Sequence, residues 1–161
     1  DDHPGIIGFE TALQSRMSLG AGFIGDLSAT YTLTQTRFLD AFESRFSQWG
    51  IVETNDELPY VPEHQAALNW TVTHGPWRLG TIASYVGEMR DVAGQGEIDD
   101  AESIEEQFIL DLNAAYSLDD WGRLYATADN VLQREYMVSR RPFGARPGKP
   151  FHVQVGYKHF F

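Results

Sequence analysis

The sequence contains no cysteine, and none of its apolar stretches approaches the ~20 consecutive residues that a membrane-spanning helix needs. The first absence excludes disulfide bonds and thiolate metal sites. The second excludes a helical membrane protein. Hydrophobic residues still make up 42% of the chain, so they must be distributed in another pattern.

Positive charge is also scarce, with 12 Lys and Arg residues against 23 Asp and Glu residues. The net charge of -11 excludes a general nucleic-acid binder, because such a protein needs a basic surface for phosphates. Acidic residues concentrate in 39–59 and 91–106, which we interpret as solvated loops. Segment 133–150 has the opposite sign, since its one acidic residue is Glu135.

The hydrophobic residues alternate with polar ones at a period of two, which predicts β-strands. In the clearest segment, Phe108, Leu110 and Leu112 alternate with Asp111 and Asn113. The sequence therefore predicts an all-β fold of about seven to eight antiparallel strands in meander order. The segments with this pattern are 6–14, 26–38, 63–73, 77–90, 104–118, 123–132 and 150–161.

The predicted connections alternate between short and long, as they do in bacterial outer-membrane barrels. Long connections would then lie outside the cell and short ones in the periplasm. Seven strands leave two open edges, which hydrocarbon does not tolerate, so we expect a segment of a larger transmembrane barrel. Residues 39–62 are open to an extra strand or a short helix. The short connections are 15–25, 74–76 and 117–122, and the long ones are 39–62, 91–103 and 133–149.

Aromatic residues cluster near the predicted strand ends, as in the interfacial girdles of membrane barrels. We expect Phe38, Tyr85 and Phe108 at the extracellular ends. Soluble β-sandwiches also carry aromatic residues on their strands, so a soluble ligand-binding sandwich is an alternative. The expected periplasmic group is Trp70, Trp77, Tyr116, Trp121 and Phe161.

The last strand, 151–161, has an apolar face, a polar face and a terminal aromatic residue. Its ending resembles the signal that the barrel-assembly machinery reads in outer-membrane proteins. That signal has a polar residue, a glycine two positions later, and aromatic residues third from last and last. The matching positions are Gln154, Gly156, His159 and Phe161, of which His159 departs from the expected aromatic.

Residues 129–161 resemble the C-terminus of TonB-dependent outer-membrane receptors. Those proteins carry an Asn-Leu-Phe-Asp-x-x-Tyr-like stretch on the penultimate strand, which here reads Asn130-Val131-Leu132-Gln133-Arg134-Glu135-Tyr136. A loop rich in Pro, Gly and Arg and a strand ending in Phe follow it. The loop over 140–150 is most similar to the ferric-citrate branch of the family.

The resemblance implies that residues 1–161 are the C-terminal portion of a receptor barrel of about 22 strands, without the plug domain or TonB box. Such receptors import ferric siderophores or similar chelates across the Gram-negative outer membrane. The implied partners are the rest of the barrel, the plug, TonB through the missing N-terminal part, a ferric chelate and outer-membrane lipid. No cofactor is implied.

Arg140, Arg141 and Arg146 are the candidate ligand-binding residues, because Arg recognises carboxylate-rich chelates through bidentate hydrogen bonds. The alternative is that they pair with acidic groups of neighbouring loops. The histidines have no spacing that predicts a metal site. A small outer-membrane barrel enzyme acting on lipid is a further alternative, but Ser139 and His152 lie in no catalytic motif, and we expect no enzyme.

Overall fold

The computed structural model describes residues 4–46 and 49–160. Seven strands form one sheet in the order of the sequence, and every neighbouring pair is antiparallel. This confirms the predicted all-β meander. The strands are β1 (Pro4–Gly20), β2 (Phe23–Phe38), β3 (His64–His74), β4 (Trp77–Val86), β5 (Gln107–Ser117), β6 (Gly122–Asp129) and β7 (His152–His159).

The remaining regular structure is short and lies in the connections. One 3-10 helix spans Asp119–Trp121 in the turn between β5 and β6. The described part of the chain contains no helix that is long and apolar enough to cross a membrane. Three two-stranded pairs join Phe42–Glu43 to Ile51–Val52, Met89–Arg90 to Ser103–Ile104, and Met137–Ser139 to Arg146–Pro147.

The pairing register collects the apolar side chains on one face of the sheet. Leu13 is opposite Ala29, Ala29 is opposite Leu68, and the row continues through Ala83 to Leu110. The alternation along each strand places the intervening polar residues on the other face, as with Glu10 opposite Thr32. Because one residue of slippage would exchange the two faces, this alignment across five strands fixes the register of the sheet.

The apolar face is not covered by any described part of the chain. Leu13 is 58% exposed, Leu79 is 53% exposed and Val155 is 73% exposed. Within the described ranges, the buried hydrophobic residues are Phe38, Val52 and Ile104, which lie at the end of β2 and in the connections. A soluble sandwich would bury its sheet face against a second layer, and this sheet has no such layer among the described residues.

One expectation about the connections needs correction, and one open question about them is answered. The stretch 15–25 is not a loop, because β1 and β2 continue to a two-residue turn at Ala21 and Gly22. Arg16 and Asp26 lie opposite each other there, so the pairing of β1 and β2 continues through charged residues. The described residues of 39–62 add no strand to the seven-stranded sheet, because their two short strands pair with each other.

Among the described residues, the aromatic residues predicted for the girdles lie near strand ends and are at least partly exposed, with one exception, and Phe161 lies outside the described residues. Trp77 and Tyr116 pair across β4 and β5 with ring centroids 4.7 Å apart, and Tyr85 and Phe108 are opposite each other at the other end. Phe38, predicted for the girdle, is instead only 1% exposed. It packs edge-on against Phe42 and Trp49, because the connection folds back over it.

Candidate functional site

The three long connections meet at one end of the sheet. We call them the loop cluster, which comprises the described residues of 39–63, 87–106 and 130–151. The amide of Glu57 donates to the carbonyl of Gly94, and the Arg140 Nε donates to the carbonyl of Ser103 over 2.7 Å. The connections are therefore joined to one another by direct hydrogen bonds.

Arg90 joins the first two connections through an ion pair with Glu57, in which the Arg90 side chain is buried and the Glu57 side chain is 53% exposed. The Arg90 side chain is 6% exposed, and its Nε lies 2.7 Å from Glu57 Oε2. Its Nη2 also donates to the carbonyl of Gly96 over 2.6 Å. Since a buried guanidinium requires partners for its donors, these bonds explain why Arg90 is tolerated inside the loop cluster.

Asp91 joins the second connection to the third. Its carboxylate accepts a hydrogen bond from Arg141 Nε at 3.0 Å, and its side chain is 2% exposed while that of Arg141 is 37% exposed. The other carboxylate oxygen, Asp91 Oδ1, has no hydrogen-bond partner among the described residues. Tyr60 adds a further link, since its hydroxyl accepts hydrogen bonds from the amides of Arg140 and Arg141.

The three predicted ligand-binding arginines thus lie in one loop but have different surroundings. Arg140 donates to two carbonyl oxygens, those of Ser103 and Asp100. Arg141 is held by Asp91, as described above. Arg146 is exposed, and its Nε donates to Ser139 Oγ over 2.7 Å. The alternative, pairing with an acidic group of a neighbouring loop, is therefore present for Arg141, whereas Arg140 is bonded to backbone carbonyls.

Asn130, from the motif that suggested the family, organises the base of this loop. It is 2% exposed and has a positive φ of 49°, a conformation that Asn tolerates better than most residues. Its Nδ2 donates to the carbonyls of Arg134 and Lys149, and its Oδ1 accepts from the Arg134 amide. Tyr136, the last residue of the same motif, accepts a hydrogen bond from the Lys149 amide.

A cavity of about 870 Å³ opens beside the loop cluster, and its lining is rich in glutamate. Arg37 and Arg90 also line it. Because carboxylates repel an anion, this cavity does not offer a favourable surface to a carboxylate-rich chelate of the kind that the sequence suggested, and Arg140, Arg141 and Arg146 are not part of its lining. The glutamates are Glu57, Glu63, Glu88, Glu97 and Glu106.

A smaller cavity of about 370 Å³ lies on the polar face of the sheet near the short turns. Arg16 and Asp26 line it, with 3.7 Å between Nε and Oδ1, and Arg78 lies nearby. Glu10, Asp111 and Asn113 lie on the same face, which is therefore polar.

The residues of the terminal signal lie on β7, apart from Phe161, which is outside the described residues. Gly156 is opposite Tyr125, whose ring is so close that a Cβ on Gly156 would be 2.3 Å from its hydroxyl oxygen. The Nδ1 of His159 lies 2.6 Å from the carbonyl of Trp121. Gln154 is opposite Thr127 on the polar face.

The remaining candidates for chemistry are separate from one another. Ser139 is bonded to Arg146, whereas His152 lies beside Asp129 with Nδ1 and Oδ2 3.6 Å apart. His74 stacks on Phe23. Within residues 4–46 and 49–160, no group of three or more His, Asp or Glu side chains is arranged to hold a metal ion.

Comparisons with known proteins agree with this geometry. A family model described as TonB dependent receptor-like, beta-barrel, matches residues 6–131. The match covers β1 to β6, whereas most of the resemblance quoted above lies beyond it, in 129–161. No curated protein sequence matches the chain.

The fold is similar to solved structures of the ferric-catecholate import receptor Fiu from E. coli K12. The closed form gives a TM-score of 0.57 at 15% identity, covering 98% of this chain and 33% of that chain. The open form gives a TM-score of 0.55 at 16% identity, covering 92% of this chain and 28% of that chain. At these identities the likeness shows the fold, and this chain spans about a third of the receptor's length.

Proposed function

The chain belongs to the TonB-dependent receptor-like β-barrel family, and from this premise we propose that the whole protein imports a ferric chelate across the Gram-negative outer membrane. Energy would reach it through TonB, which contacts a part of the receptor outside residues 1–161. The family consists of receptors, in agreement with the expectation that the chain is not an enzyme.

The observation that carries the proposal is the uncovered apolar face of the seven-stranded sheet. Leu13, Leu79 and Val155 are each more than half exposed on it. Removing apolar surface from water is favourable by ~25 cal/mol per Å², so lipid is the natural environment of this face. A β-sheet in lipid must close into a barrel, and the free edges of β1 and β7 are where the remaining strands would pair.

The orientation follows from the lengths of the connections. Outer-membrane barrels have short periplasmic turns and longer extracellular loops. The loop cluster would therefore lie at the extracellular mouth, and the turn at Ala21 and Gly22 in the periplasm. The plug would lie against the polar face that carries Arg16, Asp26 and Arg78.

We propose an anionic ferric chelate as the ligand, citrate-like if the resemblance of 140–150 to the ferric-citrate branch holds. The structurally similar receptor Fiu is described as importing a ferric catecholate, which keeps a second chelate class open. Arg140, Arg141 and Arg146 would contribute to binding, since they lie in the basic loop while the adjoining cavity is lined by five glutamates. A charge-assisted hydrogen bond from Arg contributes ~1.5–3 kcal/mol.

The test is to replace Arg140, Arg141 and Arg146 together by Gln in the full-length receptor. Binding of ferric citrate and of a ferric tris-catecholate is measured at two salt concentrations. We expect affinity to fall at least about tenfold and its salt dependence to weaken, because three positive charges are lost. Arg134→Gln, which removes an exposed positive charge from the same loop, is the control.

Unchanged affinity and salt dependence in a receptor that inserts normally would show that these arginines are structural. The ligand site would then belong to the plug and to strands outside residues 1–161. If neither chelate binds the parent receptor, the choice of an anionic ferric chelate is wrong.

A second proposal concerns assembly. Gln154, Gly156, His159 and Phe161 would form the signal read during insertion into the outer membrane. Phe161→Ala should then reduce the amount of receptor in the membrane much more than it reduces chelate affinity per inserted molecule. Equal membrane levels of variant and parent would contradict the assignment.

A further inference from the structure

We infer that Asp91 is a positioning residue, which holds the guanidinium of Arg141 in place for contact with the anionic chelate. The inference rests on the proposed function, because it names the residue that prepares one of the proposed ligand contacts. The inference gives a carboxylate a role in binding an anion, although its negative charge by itself would repel that anion.

The geometry of the pair supports this role. Asp91 is 1% exposed, and its Oδ2 accepts the Arg141 Nε hydrogen bond at 3.0 Å. The amide of Asp91 donates to the carbonyl of Glu102, which fixes the backbone on the same side. Separating Arg141 from Asp91 would leave a buried carboxylate without its cation, which is strongly unfavourable. The guanidinium therefore stays at Asp91.

Arg141 is nevertheless able to reach a ligand while it stays paired. An arginine side chain has five N–H donors, and the bond to Asp91 uses the one on Nε. The side chain is 37% exposed, whereas that of Asp91 is 2% exposed. The pair thus joins a buried carboxylate to an arginine whose side chain is partly exposed, which is the arrangement that a held anion-binding group requires.

Tyr60 fixes the backbone that carries the guanidinium. Its hydroxyl accepts hydrogen bonds from the Arg141 amide at 3.0 Å and the Arg140 amide at 3.3 Å. Its own amide donates to the carbonyl of Arg90, the residue before Asp91. Tyr60 has a positive φ of 61°, and a non-glycine residue keeps such a conformation only where its surroundings enforce it. Both ends of Arg141 are therefore held.

Arg140 provides the contrast within the same loop. Its Nε and Nη2 both donate to backbone carbonyls, those of Ser103 and Asp100. These bonds direct two of its nitrogen atoms into the loop cluster. Of these two adjacent arginines, Arg141 is therefore the one whose hydrogen bonds leave more of the guanidinium available to a ligand.

The experiment compares Asp91→Asn, Arg141→Gln and the double variant in the full-length receptor, with ferric citrate and a ferric tris-catecholate as probes. Asp100→Asn is the matched control, since it removes an exposed acidic charge from the same connection. Hydrogen exchange of the amides in 137–149 is measured in parallel, to report on the loop without a ligand.

The sign of the Asp91→Asn effect separates positioning from simple electrostatics. Removing a negative charge near the site should tighten anion binding if charge alone matters. Positioning requires the opposite, and we expect affinity to weaken about threefold, against about tenfold for Arg141→Gln. The double variant should bind as weakly as Arg141→Gln alone, because Asp91 acts through Arg141.

Affinity that stays equal or rises in Asp91→Asn overturns the inference, and so does an additional loss in the double variant. If neither probe binds the parent receptor, the proposed function fails, and hydrogen exchange decides the structural part. Loss of protection over 137–149 in Asp91→Asn but not in Asp100→Asn supports the link between Asp91 and Arg141. Unchanged protection overturns that link as well.

Discussion

The sheet and the loop cluster distribute polar and apolar side chains in opposite ways. On the sheet, large apolar residues such as Leu13 and Val155 are exposed. In the loop cluster, charged residues such as Arg90 and Asp91 are buried, together with the apolar residues Val52 and Ile104. The two regions are therefore suited to different solvents, lipid around the sheet and water around the loop cluster.

The difference also shows which region depends on partners. Among the described residues, the loop cluster satisfies its buried side-chain polar atoms internally except for Asp91 Oδ1, as Asn130 does with its hydrogen bonds to Arg134 and Lys149. The sheet satisfies its backbone between strands but has unpaired edges at β1 and β7. We therefore expect changes on the apolar face to affect membrane assembly, and changes in the loop cluster to affect local order.

The largest effect should come from placing a charge on the apolar face. Leu13→Lys would put an ammonium group into hydrocarbon, and near the middle of the membrane this should lower the free energy of unfolding by ~2–4 kcal/mol. Gln14→Lys is the control, because Gln14 lies in the same strand on the polar face and is also exposed. Folding free energy in lipid vesicles is the measurement. Equal losses in both variants would contradict the assignment of the two faces.

An intermediate effect should follow from Asn130→Ala in the loop cluster. The substitution removes three side-chain hydrogen bonds and places alanine at a φ of 49°. We expect a local destabilisation of ~2–3 kcal/mol, because buried backbone groups lose their partners. Faster hydrogen exchange confined to 130–149 is the expected readout. Exchange that rises equally throughout β1 to β7 would show that the sheet and loop cluster unfold together.

The sequence was most informative for the sheet. A period of two is imposed by strand geometry and by a boundary between lipid and water, so alternation reveals both strands and faces. The prediction for 15–25 was wrong because Arg16 and Ser18 alternate with Met17 and Leu19 up to the turn, while Ser15 on the apolar face and the glycines around position 21 obscure the pattern. The prediction that Phe38 lies in the extracellular girdle was wrong because its ring packs against Phe42 and Trp49. These two residues belong to a connection whose path leaves no periodic pattern in the sequence.

The loop cluster was less predictable, because its contacts join residues that are far apart in sequence. Tyr60 bonds to the amides of Arg140 and Arg141, and nothing local in either segment indicates this. The basic composition of 133–150 did point to the arginines, but not to Asp91 as the partner of one of them. For Asn130 and Tyr136 a signal existed in the family-like motif, although composition gave no indication of their hydrogen bonds.

The smallest effect concerns the polar face, where Gly156 of β7 accommodates the ring of Tyr125. A Cβ at position 156 would lie 2.3 Å from the ring hydroxyl, so Gly156→Ala must displace the far end of that side chain, which we expect to cost ~1 kcal/mol. Tyr125→Ala loses the contact but opens space, so the double variant should be no less stable than Tyr125→Ala alone. Unfolding in lipid vesicles gives these differences. If Gly156→Ala destabilises equally with and without Tyr125, the glycine is required by the backbone or by the assembly machinery and not by the ring.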